Sequence, residues 1–202
     1  QRNSNCNIWG TADALKTVTI TTSWNGKTYK VKAGDDGKWK LKISTPDAGG
    51  PYNIKLSDGK ALTLHNILIG EVWICSGQSN MEMPMKGFKA QPVDGALQEL
   101  MTGADNNLRL FTVSRNARLQ AVDTLQGKWN AADAESIRQF SATAYYFGST
   151  LRKSLRVPVG LIVTSWGGSA CEAWMSSDWL KAFPDVKLPT NKTDVDKRAQ
   201  RC

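Results

Sequence analysis

Ser79 is the residue of this sequence whose type and position most clearly suggest chemistry. It stands in the segment Ser76-Gly77-Gln78-Ser79-Asn80, directly after an apolar run. Glycine accepts positive φ angles, and a sharp turn at a strand end exposes a serine oxygen and directs backbone N–H groups toward a developing oxyanion. Such a hydroxyl becomes a nucleophile when a base takes its proton. The pattern predicts a serine nucleophile flanked by candidate substrate contacts, Gln78 and Asn80. The alternative is an ordinary turn serine.

A second glycine-containing loop follows another apolar strand and reads Ser165-Trp166-Gly167-Gly168-Ser169. Paired glycines let a backbone approach a substrate closely, so an N–H group of this loop is a candidate oxyanion donor and Trp166 a candidate substrate contact. The alternative is an ordinary strand-to-helix turn.

Glu172 follows that loop and lies between two tryptophans in the sequence, Trp166 and Trp174. A carboxylate in this setting is a candidate ligand contact. The alternative is a charge at a helix N-terminus, with the tryptophans in the core.

The elements before residue 67 are predicted to be short, half-buried strands. Asn25-Gly26 and Asp58-Gly59 are hairpin signals between them. The alternating apolar positions are Val18 and Ile20; Tyr29 and Val31; Trp39, Leu41 and Ile43; Tyr52, Ile54 and Leu56; and Leu62 and Leu64. Strands of this kind predict a small β-sandwich over 1–66.

The pattern changes over 67–202. Ile67 to Cys75 is a nearly continuous apolar run, typical of a strand buried on both faces of a parallel sheet. Further strands are predicted over 108–113 and 159–164, with helices over 95–101 and near 140–156. The apolar face of the longer helix is predicted to carry Phe140, Ala144, Phe147, Leu151 and Leu155.

This alternation predicts an α/β fold with a doubly wound parallel sheet. Active sites of such sheets lie beyond the carboxyl ends of the strands. That rule selects the two loops already described.

Charge and composition restrict the classes of partner. The formal net charge is +8, but the lysines alternate with apolar residues and are predicted to form the wet face of strands. We therefore expect no nucleic-acid partner. No apolar stretch reaches the roughly 18 residues of a membrane-spanning helix, so no membrane partner is expected. The cysteines fit no zinc spacing and do not settle the compartment; they are Cys6, Cys75, Cys171 and Cys202.

Three ordered motifs closely resemble the sialate O-acetylesterases, carbohydrate esterases of the SGNH-hydrolase superfamily. They are Gly70 to Pro84, with the core Gly77-Gln78-Ser79-Asn80; the helix motif Phe140 to Gly148; and Pro158 to Ser176, with Trp166-Gly167-Gly168 and Glu172-Ala173-Trp174. The G-x-S-x-G motif of the common lipases is absent. The resemblance spans roughly Asn7 to Asp185.

The resemblance implies a role for each loop. Ser79 is then the nucleophile and contributes its own N–H to the oxyanion hole. Gly167, with Gly168 as the near alternative, supplies a second N–H. Neither a metal nor a cofactor is implied.

The resemblance also implies a catalytic histidine and aspartate that this sequence does not reach. The one histidine, His65, ends the β half and is expected to be structural. We therefore expect a truncated or cleaved product, or a second polypeptide that completes the triad. Alone, the chain is expected to be inactive.

Several functional alternatives stay open. The leading substrate is O-acetylated sialic acid, with acetylated xylan or another glycan as the rival. A non-catalytic carbohydrate-binding fragment would use Trp24 or Trp39, and a relic without activity is a third class. The glycan substrates of the family imply a secreted or periplasmic location.

Overall fold

The computed structural model describes residues 1–199, and the contacts among them divide the chain into two units. The first unit comprises Gln1–Val72 and Leu155–Val159, and the second comprises Trp73–Ser154 and the chain from Gly160 onward. Together they form a mixed α/β fold with several sheets. The domain division into 1–66 and 67–202 stays a prediction. No helix of residues 1–199 is long and apolar enough to cross a bilayer.

Six strands build the first unit. They are β1 Asn5–Thr11, β2 Thr17–Thr22, β3 Thr28–Lys32, β4 Lys38–Ser44, β5 Gly49–Ser57 and β6 Ala61–Ile69. Strands β1 and β4 pair antiparallel, and the other four form a sheet in the order β3-β2-β5-β6. The two predicted hairpin turns are confirmed, with φ angles of 66° at Gly26 and 112° at Gly59.

Both sheets of the first unit contribute to one apolar core. Its buried residues include Val18, Ile20 and Ile54 from the four-stranded sheet and Trp39 and Ile43 from β4. Alternation works here because successive side chains of a strand point to opposite faces. The lysines at the intervening positions are exposed, as predicted; they are Lys30, Lys32, Lys38, Lys40 and Lys42.

The tryptophans proposed for carbohydrate binding have structural roles in this unit. Trp39 is buried, with 7% of its surface exposed. Trp24 is half-buried and donates from its indole N–H to the carbonyl of Ser44 at 3.2 Å. A binding surface centred on Trp39 is therefore wrong, because the inward alternation of β4 directs that indole into the core.

The second unit is organised around a four-stranded sheet in the order β7-β10-β8-β9. Its strands are β7 Glu71–Gly77, β8 Asp105–Thr112, β9 Trp129–Ala132 and β10 Val159–Ser165. Its helices are α1 Ser79–Glu82, α2 Ala96–Thr102, α3 Ala134–Gln139, α4 Ala142–Leu155, α5 Ser177–Leu180 and α6 Lys192–Ala199, with a 3-10 turn at Cys171–Trp174.

Strands β7 and β10 run in the same direction. The N–H of Glu71 donates to Pro158 O at 2.9 Å at one end, and the N–H of Trp166 donates to Gly77 O at 3.1 Å at the other. Because both partners advance together along the chain, the carboxyl ends of the two strands meet at one edge. This edge carries both loops selected from the sequence.

Helix α4 buries only part of the predicted face: Phe140, just before the helix, and Ala144 are buried as predicted. Tyr145 and Gly148 are also buried, whereas 41% of Phe147 is exposed. A Cβ on Gly148 would lie 3.0 Å from Leu161 Cδ2 of β10. The helix therefore lies close to β10 at Gly148, and the ring of Phe147, although partly exposed, lies 5.3 Å from the ring of Trp73 of β7. Leu155, also predicted for the apolar face, is 43% exposed.

The apolar run from Ile67 to Cys75 is divided between two strands and is not buried on both faces, contrary to the prediction. Ile67 belongs to β6, and Gly70 separates that strand from β7. Within β7 only Cys75 is buried, while Trp73 is 44% exposed and Ile74 71% exposed. Strand β7 lies at the edge of its sheet, and burial of both its faces requires segments that pack on them, which residues 1–199 do not supply over Ile74.

Candidate active site

Ser79 is the first residue of α1, directly after the end of β7. The turn is made at Gly77, which has a φ of 157°, and at Gln78, the N-cap of the helix. Only glycine adopts such a φ without strain. The Ser79 side chain is exposed, and within residues 1–199 its hydroxyl makes no hydrogen bond. The oxygen is therefore accessible, as a nucleophile requires.

The loop after β10 lies beside Ser79. A Cβ built on Gly167 would stand 3.5 Å from Ser79 Oγ. Gly168 has a φ of 76°, a conformation that favours glycine. A side chain at Gly167 would thus touch Ser79 at ordinary van der Waals distance and collide with the carboxylate of Glu82, so the glycine makes room for that carboxylate.

Ser169 holds this loop in place, although the sequence did not single it out. Its side chain is buried and donates to Trp166 O at 2.7 Å, while it accepts from the indole N–H of Trp174 at 2.7 Å. Its carbonyl also accepts a hydrogen bond from the side-chain amide of Gln78. The two predicted loops are consequently joined by a side-chain contact as well as by the backbone bond of Trp166.

The carboxylate of Glu82 binds the backbone N–H of Gly167, which is the group predicted to bind an oxyanion. The same carboxylate forms an ion pair with Arg115. The guanidinium of Arg115 lies 5.5 Å from the ring centre of Trp166, within the range of a cation–π contact. These four residues connect α1, the segment after β8 and the loop after β10. The carboxylate must leave Gly167 before that N–H can bind another anion.

The remaining predicted contacts differ in their availability. Gln78 uses its amide to hold Ser169, so that group serves the loop. Asn80 is exposed, and its backbone carbonyl accepts from Thr143 Oγ1 at 3.0 Å. Glu172 is half-buried on the 3-10 turn after the loop.

A cavity of about 520 Å³ opens beside this cluster. Glu82 and Arg115 line one part of it, and Ser165, Lys86 and Phe88 contribute elsewhere. The volume falls within the range of about 300–1,000 Å³ of small-molecule sites. Its lining contains groups of both charges and the ring of Phe88, but neither Ser79 nor Gly167 lines it.

His65 does not belong to this arrangement. It lies on β6 in the first unit, exposed, with its Nδ1 atom 3.1 Å from Asn53 Oδ1. Nor does any group of three or more potential metal ligands gather within residues 1–199.

The sequence of this chain matches a known protein family. A profile of the family described as "Carbohydrate esterase, sialic acid-specific acetylesterase" matches residues 69–186, more than half of the chain. This chain belongs to that family. The match includes both loops of the site and the intervening strands.

Individual members of the acetylesterase family agree. Sialate O-acetylesterases of Homo sapiens and Rattus norvegicus are each 32% identical over 87% of the chain. The crystal structure of a carbohydrate acetylesterase from Xanthomonas citri superposes with a TM-score of 0.83 and 34% identity over 94% of the chain.

The chain spans only part of these family members. It covers 36% of the human relative, 35% of the rat relative and 42% of the Xanthomonas chain.

Proposed function

We propose that this chain carries the nucleophile and oxyanion part of a serine O-acetylesterase that removes acetyl groups from sugars, O-acetylated sialic acid first. The observation that supports this most is the exposed Ser79 hydroxyl beside the backbone of Gly167. Family membership supports the same reaction. Acetylated xylan or another glycan is the second candidate substrate, because the same two-loop chemistry would serve any acetylated sugar.

The proposed reaction has two steps. Ser79 Oγ attacks the acetyl carbonyl carbon while a base takes the hydroxyl proton. The carbonyl electron pair moves to oxygen, and the resulting oxyanion accepts hydrogen bonds from the N–H of Ser79 and from Gly167 or Gly168. Collapse of this intermediate breaks the bond between the acyl carbon and the sugar oxygen. The base returns its proton to that oxygen. Water then attacks the acetyl-enzyme in the same manner and releases acetate.

Glu82 gives this scheme a preparatory step. Because its carboxylate holds the Gly167 N–H, binding of the ester must displace the carboxylate for this donor to act. Arg115 is the group that would retain the displaced carboxylate, since the two already form an ion pair. Gly168 and Ser79 supply the donors if the bond to Glu82 persists.

The base is proposed to come from outside residues 1–202. His65, the one histidine of the sequence, bonds to Asn53 in the first unit. The exposed apolar residues of β7 and its free edge support a neighbouring segment that continues the sheet as a doubly wound parallel arrangement. Either further residues of a longer chain or a second polypeptide would supply it. A glycan substrate of this kind favours a secreted or periplasmic location.

Two assays test these proposals separately. In a preparation that releases acetate from O-acetylated sialic acid, Ser79→Ala is expected to lower kcat by about 10³-fold or more. Ser76→Ala is the matched control, because Ser76 is an exposed serine of the same segment. Retained activity in the Ser79→Ala variant would exclude the serine mechanism.

The second assay uses the chain of 202 residues by itself. It is expected to hydrolyse p-nitrophenyl acetate no faster than its Ser79→Ala variant. A Ser79-dependent rate from this chain would contradict an external base while leaving the nucleophile in place. Release of acetate from sialic acid against release from xylan decides the substrate.

A further inference from the structure

An exposed tryptophan lies on the outer face of the two-stranded sheet of the first unit. Trp9 of β1 is 62% exposed. It stands directly opposite Lys40 of β4, and Asn7 stands opposite Lys42. Residues directly opposite in an antiparallel pair share one face, with Cβ atoms about 4.5–5.5 Å apart. The indole therefore shares its face with the side chain of Lys40, and Lys42 stands on the same face two positions along the neighbouring strand.

Every residue that points to this outer face is exposed. Strand β1 contributes Asn5, Asn7, Trp9 and Thr11, and strand β4 contributes Lys38, Lys40, Lys42 and Ser44. Within this set there is no carboxylate. Lys40 and Lys42 have no ion-pair partner among residues 1–199. The face is thus basic and polar, with one large aromatic ring.

The core does not require Trp9 at this position. The apolar contribution of β1 comes from its opposite face, where Cys6 and Ile8 pack against the core. Alternation would accept any polar residue at position 9. Single exposed apolar side chains are common on protein surfaces, but Trp9 shares its face with Lys40 and Lys42, which have no ion-pair partner among residues 1–199. An exposed indole beside unpaired lysines is therefore better explained by a ligand than by stability.

We propose that this face, the Trp9 surface, binds an anionic carbohydrate chain. The indole would stack on the C–H face of a sugar ring, the ammonium groups of Lys40 and Lys42 would pair with carboxylates, and the amide of Asn7 would bind hydroxyl groups. Each of these groups matches one feature of an acidic sugar. Alternate residues on a strand are about 7 Å apart, so the lysine column follows an extended chain. This site goes beyond the esterase reaction and needs no catalytic group.

Nucleic acid is the alternative polyanion, but the charge count opposes it. Proteins that bind nucleic acids through phosphates make about 6–10 such contacts. The Trp9 surface offers fewer, namely the ammonium groups of the three lysines of β4. A single ring also suits one sugar better than a series of stacked bases.

The test measures binding of the 202-residue chain to a short sialic acid homopolymer by calorimetry at low salt. Neutral dextran and oligodeoxythymidine of matched length serve as comparison ligands. Trp9→Ala is expected to weaken binding of the acidic polymer by about tenfold. The double variant Lys40→Glu, Lys42→Glu is expected to abolish it.

The matched control is Lys30→Glu with Lys32→Glu. It makes the same change in net charge on exposed lysines of β3, opposite Thr19 and Thr17 rather than beside a tryptophan. Less than about a twofold change is expected there. Equal losses in both double variants, absence of binding to the acidic polymer, or tighter Trp9-dependent binding of the oligonucleotide would each overturn the proposal. Because no acetyl transfer is measured, failure of the esterase proposal leaves this result unaffected.

Discussion

Strands β2 and β7 use their apolar residues in opposite ways. In β2 the alternating residues Val18 and Ile20 are almost fully buried in a core that the first unit provides by itself. In β7 the side chains of Trp73 and Ile74 are largely exposed, although this strand is the more apolar of the two. The first unit buries the apolar residues of β2 in its own core. The second, which carries Ser79, has apolar surface left for a neighbour.

A sequence pattern reports on a strand more reliably than on the neighbours of that strand. Alternation arises within one strand, so β2 could be predicted from its own residues. Burial of both faces depends on segments that pack on the strand from elsewhere. The exposure of Ile74 therefore could not be predicted from the residues of β7 alone.

The largest expected effect tests this contrast directly through stability. Ile20→Ala is expected to lower the free energy of unfolding by about 3 kcal/mol, since a fully buried side chain is truncated. Ile74→Ala is expected to change it by about 0.5 kcal/mol or less, as at other exposed positions. Equilibrium urea unfolding measures both. Comparable losses for the two variants would contradict the difference in burial between Ile20 and Ile74.

Thiol labelling distinguishes the buried face of β7 from its exposed face. Cys75 is 8% exposed, and burial raises the pKa of its thiol, which lowers the thiolate fraction at neutral pH. We expect Cys75 to react with iodoacetamide about tenfold or more slowly than a cysteine introduced by Ile74→Cys. Fragment-ion mass spectrometry, which separates the adjacent positions 74 and 75, gives both rates from one sample. Equal rates in the native protein, as in a urea-unfolded control, would show that neither face of β7 is covered.

A smaller effect tests whether the second unit has an interior of its own. Tyr145 is fully buried and donates to Glu99 Oε2 at 2.8 Å. Tyr145→Phe is expected to lower the free energy of unfolding by about 1 kcal/mol, the usual contribution of such a bond. No change in stability would indicate that the bond does not contribute.

The same tyrosine predicts a dependence of stability on pH. Burial, followed by the neighbouring Glu99, raises the pKa of Tyr145 well above its ordinary value of 10.0. Because the folded protein retains a proton that the unfolded chain releases, this contribution is complete below about pH 10 and declines as the pH rises further. Urea unfolding between pH 8 and 11 should show a steeper alkaline loss in the parent than in Tyr145→Phe. Equal slopes would contradict the assignment.

The site was predictable to the extent that it depends on strand ends. Exposure of Ser79 and its approach to Gly167 follow from two parallel strands whose carboxyl ends meet. Glu82 and Arg115 were missed because they are distant in sequence, and charged residues of this kind are usually solvated. Their pairing depends on tertiary structure alone.

The fold shows the same limits. Strand β1 was missed because the inward position 10 is glycine, which gives no apolar signal. A Cβ there would lie 2.8 Å from Trp39 Cζ2, so the core indole requires that space. The buried face of α4 was predicted correctly at Ala144, but Tyr145 and Gly148 were missed, because a tyrosine and a glycine give no strong apolar signal.

The most direct test of the account asks which atom becomes covalently modified. A preparation that releases acetate from O-acetylated sialic acid is inactivated with a fluorophosphonate, and the adduct is located by peptide mass spectrometry. We predict one adduct on Ser79, retained in Ser76→Ala and lost in Ser79→Ala together with acetate release. An adduct on another residue, with activity that persists in Ser79→Ala, would contradict the assignment of Ser79 as the nucleophile.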